Sequence, residues 1–130
     1  IYENGFGVKK DLFESVKWLK LAAAQGRADA QFNLALNYHR GQGVEQDNFE
    51  AFKLLNKSVE SKMAAAQFML GFMHEKGFGT KINNEEAFNW YKLAAIQGHA
   101  NAQYNLALLY EFGKGTTKNL EEAIFWYRSY

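Results

Sequence analysis

Neither cysteine nor proline occurs in the 130 residues. Lack of cysteine excludes disulfides and thiolate metal sites within this stretch. It leaves the compartment open, since a helical protein can be cysteine-free anywhere. Lack of proline removes the strongest helix breaker, so turns must be made by other residues. Charge of one sign is scarce too: 15 Lys and Arg against 14 Asp and Glu leave a net +1. That argues against the broad electrostatic footprint needed for nucleic acid or an anionic membrane. No run of ~18 apolar residues is found, so no membrane span is expected, and no basic-then-apolar leader opens the chain. Apolar and aromatic side chains are abundant, at 48% and 16%, enough for one globular unit with a sizeable core.

The 11 glycines fall on one frame. Gly5-Phe6-Gly7 recurs as Gly41-Gln42-Gly43, Gly77-Phe78-Gly79 and Gly113-Lys114-Gly115, each 36 residues after the last. Gly26 and Gly98 share a second frame position, with Lys62 between them, and Gly71 follows a Leu70 that aligns with Leu34 and Leu106. Trp18, Trp90 and Trp126 align as well, with Leu54 in the remaining place. A repeat of this period is the signature of stacked supersecondary units.

Within one unit, Ala30, Leu34 and Tyr38 are four residues apart and share one face of a helix, the A helix. The copies are Ala66, Leu70, His74 and Ala102, Leu106, Tyr110. The glycine pair ends this helix, because glycine readily takes the left-handed conformation that closes the last carbonyls. A second helix, B, opens on Asp11, Asp47, Asn83 or Asn119, each followed three residues on by Glu14, Glu50, Glu86 or Glu122. That is a capping-box pattern. Along the B helix run the columns Ser15, Ala51, Ala87, Ala123 and Trp18, Leu54, Trp90, Trp126. Next come Leu19, Leu55, Tyr91, Tyr127, then the small pairs Ala22-Ala23, Ser58-Val59 and Ala94-Ala95. Large beside small lets helices interlock. Helices are predicted over about 10–24, 28–40, 47–61, 64–76, 83–97, 100–112 and 119–130. The units are a half repeat, 1–27, and repeats 28–62, 63–98 and 99–130. The chain opens near the end of one A helix and stops inside a B helix, which reads as a segment of a longer solenoid.

The run Ala66-Leu70-Gly71, Gly77-x-Gly79, Ala87, Trp90-Tyr91, Ala94-Ala95, Gly98 resembles the Sel1-like repeat, a relative of the tetratricopeptide repeat with a slightly longer period. The resemblance covers essentially the whole chain. His74 in place of Tyr, Leu54-Leu55 in place of Trp-Tyr and Lys62 in place of Gly are the departures. It implies an all-α fold, a right-handed α-solenoid of antiparallel helix pairs, and a role in assembling other proteins. Members of the family serve as adaptors in signalling, membrane-protein degradation and bacterial host interaction.

Several patterns invite a chemical reading and have a structural one. The glycine pairs match neither G-x-G-x-x-G nor G-x-x-x-x-G-K-[ST], so helix ending is preferred to phosphate cradling. His39, His74 and His99 lack metal-ligand spacing on one face. Glu85-Glu86 and Glu121-Glu122 stand at helix starts, where negative charge suits the dipole. Asn56-Lys57-Ser58 is a chance glycosylation sequon. The Trp and Tyr columns read as core. No nucleophile–base pair or metal cluster appears, so no enzyme, cofactor or metal is expected here.

A second stripe on the A helices carries Phe32, Asn33, Leu36; Phe68, Met69, Phe72; and Tyr104, Asn105, Leu108. By similarity to tetratricopeptide repeats it faces a concave groove, and the bland alternative is packing between successive A helices. The function expected is a non-enzymatic interaction scaffold that binds a protein or peptide, without nucleic acid or membrane insertion. End-to-end self-association through the cut ends is a further expectation. The alternative is a regulatory or targeting repeat domain of a larger protein.

Overall fold

The computed structural model describes the backbone of residues 6–130 and the side-chain surroundings of residues 11–130. Seven α-helices lie among the described residues: α1 (Phe6–Ala24), α2 (Ala28–Arg40), α3 (Asn48–Ser58), α4 (Ala64–Lys76), α5 (Asn84–Ile96), α6 (Ala100–Phe112) and α7 (Leu120–Ser129). A 3₁₀ turn, Val59–Ser61, succeeds α3. No strand is present among these residues. The architecture is all-α, of helix pairs repeating every 36 residues, which is the α-solenoid class. The chain divides into two compact units, Ile1–Ser61 and Lys62–Tyr130.

The A helices are α2, α4 and α6; the Ala and Leu positions of the expected stripe are buried, while of its third position only Tyr110 is buried and Tyr38 and His74 are half-buried. Ala66, Leu70, Ala102 and Leu106 have no accessible surface, and Ala30 and Leu34 have almost none. In the second unit Ala102 and Leu106 share one cluster with Ala87, Tyr91, Ala94 and Ala95 of α5, and Ala123 of α7 belongs to it too. Each fully buried leucine contributes about 1.5–3 kcal/mol. In the first unit, Val16, Ala51, Leu54 and Leu55 are the buried apolar residues of the B helices among those described, and Ser58 is buried with them.

Each A helix ends on a glycine with positive φ: Gly41, Gly77 and Gly113. Its N–H and that of the next residue both donate to one carbonyl, Met73 O in the α4 copy at 2.8 and 3.0 Å. The second glycine, Gly43, Gly79 or Gly115, is also left-handed. It has a second reason to be glycine. A Cβ on Gly43 would lie 2.7 Å from the Leu12 carbonyl oxygen and from Val16 Cγ2 on α1, and one on Gly115 would collide with the Asn84 carbonyl on α5. The loop therefore presses its backbone onto the preceding B helix at the same repeat position in both units. Of the first pair, Gly5 lies outside the described residues and Gly7 is inside α1.

The caps form at three of four places. Asp47, Asn83 and Asn119 each accept a hydrogen bond from the amide three residues on, at 3.1 Å. The reciprocal half is replaced. The backbone amides of Asp47, Asn83 and Asn119 donate at 2.9 Å to the carbonyls of Tyr38, His74 and Tyr110. The expected cap at Asp11 is overturned, since α1 runs unbroken from Phe6. With no proline nearby, the single Gly7 costs a helix only about 1 kcal/mol.

Two further expectations are corrected. Of the two aromatic columns, Tyr91 is fully buried with Leu55, while Trp90 and Trp126 are half-buried and Trp18 is 66% exposed. No A helix precedes α1 among the described residues, so nothing there covers Trp18. The helix expected to reach residue 61 stops at Ser58. The Ser58 hydroxyl donates to the Leu55 carbonyl at 3.1 Å and the Ser61 hydroxyl to the Ser58 carbonyl at 2.8 Å. Serine competing for helix carbonyls in this way loosens the last turn. Ala22 and Ala94 hold this place in the neighbouring repeats and offer no such competitor.

The B-to-A turn needs a left-handed residue. Gly26 and Gly98 supply it with φ of 85° and 95°, and Lys62 takes φ of 63°, the one non-glycine residue in that region among those described. A left-handed Cβ costs about 1–2 kcal/mol, partly offset by the greater chain entropy of glycine when unfolded. Lys62→Gly should therefore stabilise the protein by about 0.5–1 kcal/mol. Gly98→Ala, where a Cβ meets nothing within 4 Å, should destabilise by a similar amount through φ alone. Urea unfolding of both variants checks this, and unchanged midpoints would contradict it.

His99 is the N-cap of α6, its Nδ1 accepting from the Ala102 amide at 3.2 Å. Burial holds its pKa below the ordinary 6.5, and burial likewise lowers that of His74, against a smaller opposing effect of Glu86. The unfolded chain then binds protons before the folded one does. Stability is full above pH 6.5 and falls as pH drops below it. His99→Asn keeps a cap acceptor without the titration. Thermal melts from pH 7.5 to 5 should show a shallower acid loss for this variant, leaving the part owed to His74. Identical slopes would remove His99 from the account.

Candidate partner-binding face

None of the nine stripe residues is buried. On α2, Phe32 and Leu36 are half-buried and Asn33 is exposed. On α4, Phe68, Met69 and Phe72 are all half-buried. On α6, Asn105 and Leu108 are half-buried and Tyr104 is 40% exposed. In each unit the stripe thus keeps accessible surface while leaning on its own core.

The leaning is specific. Phe68 stacks on the His99 ring, with centroids 4.7 Å apart and planes at 23°, and meets Tyr91 at 5.6 Å. Phe72 meets Phe78 of the glycine loop at 5.7 Å. Tyr104 meets Tyr127 and Tyr130 of α7 at 5.7 and 5.1 Å. These contacts hold the rings in place, so an incoming group meets a surface already ordered. Asn33 lines a shallow cavity of about 320 Å³ with Trp18, Leu19 and Ala30, all within the first unit.

Two repeated polar features lie beside the stripe, and the periodicity of the sequence did not reveal them. The Tyr91 hydroxyl donates to Glu75 Oε1 at 2.6 Å, and the Tyr127 hydroxyl donates to Glu111 Oε1 at 2.6 Å. Asn105 is a second hydrogen-bond partner of the Tyr91 hydroxyl. That engages the Asn105 amide of the stripe within the fold. Burial first, then the hydrogen bond and charge of Glu75, push the Tyr91 phenol well above the ordinary tyrosine range. Burial and Glu111 push Tyr127 up to about 12. Both phenols stay protonated and neutral as donors. The 36-residue recurrence of Glu75 and Glu111 was the available signal. It was hidden because the corresponding pair in the first unit is His39 and Leu55, and His39 Nδ1 instead meets Asn48 Oδ1 at 2.7 Å.

The second feature is a column of buried amides, Gln31, Gln67 and Gln103. Gln31 donates to the Ala23 carbonyl at 3.4 Å and Gln103 to the Ala95 carbonyl at 3.2 Å. Each adds a side-chain bond to a B-helix carbonyl that already accepts from the turn glycine, Gly26 to Ala23 at 3.0 Å and Gly98 to Ala95 at 2.9 Å. Gln67 accepts from Gln97 at 2.8 Å. No group of three or more His, Cys, Asp and Glu side chains able to hold a metal ion occurs among the described residues. No described helix is long and apolar enough to cross a membrane.

The described geometry has its counterparts among solved structures. A Sel1 repeat protein from Oxalobacter formigenes matches with TM-score 0.81 and 37% identity over 87% of this chain and 46% of its own. A protective antigen of uropathogenic Escherichia coli with an SLR fold matches with TM-score 0.88 and 34% identity, over 98% of this chain and 27% of its own. Cysteine-rich protein B of Helicobacter pylori, at 24% identity and TM-score 0.70, shares the fold over 97% of this chain and 90% of its own. The chain thus spans under half the length of the first two. Comparison with curated proteins finds no match. The family model for the Sel1 repeat matches residues 1–26, 28–62, 64–99 and 100–129; with caps, glycine turns and buried columns recurring on that frame, the chain belongs to the Sel1 repeat family.

Proposed function

We propose that this chain binds a partner polypeptide through the second stripe of its A helices, with an apolar anchor residue seated against the aromatic side chains. Sel1 repeats are in general interaction scaffolds, and the proposal gives this one a face. The observation that carries it is the state of the stripe. Nine residues at repeating positions, five of them Phe, Leu or Met on α2 and α4, retain surface beside the buried Ala30–Leu34, Ala66–Leu70 and Ala102–Leu106 columns. Half-buried aromatic rings held by neighbours present apolar area without having to be ordered on binding. Asn33 is exposed and offers both a donor and an acceptor to an extended backbone. Few charges lie within the stripe, so affinity should depend weakly on salt.

Selection of a displayed peptide library against the full chain, with affinity then measured on the variants, tests this reading. Phe72→Ala should weaken the selected peptides by about 2 kcal/mol, roughly 30-fold, with helical circular dichroism intact. Lys92→Ala, on α5, should leave affinity unchanged. Raising salt from 0.05 to 0.5 M (working values, on the order of a tenfold range) should change affinity by less than about threefold. Peptides that bind Phe72→Ala and Phe68→Ala as tightly as the parent would show that the stripe is not the binding face.

A further inference from the structure

The two units place the same elements around the glycine loop at the end of an A helix, and they differ there at one decisive side chain. In the second unit Phe88 of α5 meets the Tyr110 ring edge to face, with centroids 5.2 Å apart and planes at 89°. Lys92, one turn along α5, holds its Nζ 5.8 Å from the centroid of the Phe88 ring. The residues 72 positions earlier are Val16, Tyr38 and Lys20. Tyrosine and lysine are retained, and phenylalanine has become valine.

Val16 is buried, at 3% exposed, yet it lacks the ring that fills this place in the other unit. Beside it lies an open cavity of about 580 Å³ between α1 and the loop after α2, lined by Phe13, Val16, Lys20, Tyr38 and Gly43 among others. That volume is within the range of about 300–1,000 Å³ typical of ligand pockets. Phe13 stands at its edge, 72% exposed, where the second unit has Glu85. The charged lining residues are Lys17 and Lys20 against Glu45 and Asp47, two of each sign. No net charge is offered to an ion, and Asp47 already caps α3. The surroundings suit a neutral ring: a tyrosine for edge-to-face contact, an ammonium group for its face and an apolar side chain at the mouth.

We propose that this cavity is a receptor for a phenylalanine side chain of a partner polypeptide. The incoming ring takes the place that Phe88 occupies in the second unit, edge-on to Tyr38 and beneath the Lys20 ammonium, with Phe13 folding against its outer side. No residue of the A-helix stripe lines the cavity, so the site stands or falls independently of the function proposed above.

The test uses the full chain, isotope-labelled for NMR, with N-acetylphenylalaninamide as probe and N-acetylleucinamide as control. Saturable shifts centred on the Val16 methyl groups and the Tyr38 ring are expected with the phenylalanine probe, at least fivefold weaker with the leucine one. Val16→Phe should abolish them by filling the place from within. Lys20→Gln should weaken the phenylalanine probe about two- to fivefold, the size of an exposed cation–π contact, and leave the leucine probe unchanged. Absence of saturation, equal response to the two probes, or full binding by Val16→Phe would overturn the proposal. If Val16→Phe does not fold, Lys20→Gln decides the matter: an unchanged affinity for the phenylalanine probe overturns it.

Discussion

One backbone hydrogen bond organises each repeat. The amide of the residue that caps a B helix donates to the carbonyl of the residue nine positions earlier, at the aromatic place near the end of the A helix. The same residue's side chain accepts from the amide three positions on. A single Asp or Asn thus ties the end of one helix to the start of the next. The span between is too short for anything but a tight turn, and the left-handed glycines supply it. Once that turn is fixed, the A and B helices have no freedom left except to face each other. The alanine, leucine and tyrosine columns then meet. Gly71 shows how closely: a Cβ there would lie 2.7 Å from the Tyr91 ring.

Most of this was legible in the sequence because the repeat writes it several times over. A cap read once is a guess, whereas Asp47, Asn83 and Asn119 at a constant interval, each with a glutamate three residues on, constrain one another. Where the pattern misled, the reason is physical in each case. Asp11 carries the cap pattern but lies within a helix that continues through it. A cap depends on the residues N-terminal to it, and the capping-box pattern contains only residues C-terminal to it. The tryptophan column looked like core because large aromatics usually are, but burial depends on which neighbour covers the residue, and at Trp18 none does among the described residues. The glutamates that accept from Tyr91 and Tyr127 were missed because a lone acidic residue on a helix surface gives no sign of the partner 16 residues away.

The candidate site was legible in a different sense. Periodicity identified which A-helix residues lie off the buried stripe, and the structure leaves all nine with accessible surface. It also ties several of them into the fold through His99, Phe78 and Tyr130, contacts that no periodicity argument reveals. Asn105 illustrates the difference. It lies on the stripe off the buried face, and its surroundings give it the Tyr91 hydroxyl.

The irregular positions carry the most information about this particular chain. A repeat frame forces its cap, turn and small-residue positions toward one answer, because each copy must satisfy the same geometry. Lys62 is tolerated in a glycine place at a modest backbone cost, since a Cβ at the equivalent Gly26 and Gly98 meets nothing. Gly43 and Gly115 leave no such latitude, because backbone stands where their Cβ would be. The column Val16, Phe52, Phe88, Ile124 belongs to neither class. At Val16 the neighbouring space opens to solvent at the loop, so the smaller residue borders an open cavity rather than a sealed void. A sealed void only costs stability, whereas an open one exchanges with water and admits a ligand. The receptor site proposed beside Val16 rests on that distinction. The same loss at Leu70 or Tyr91, enclosed on every side, would be destabilising and nothing more.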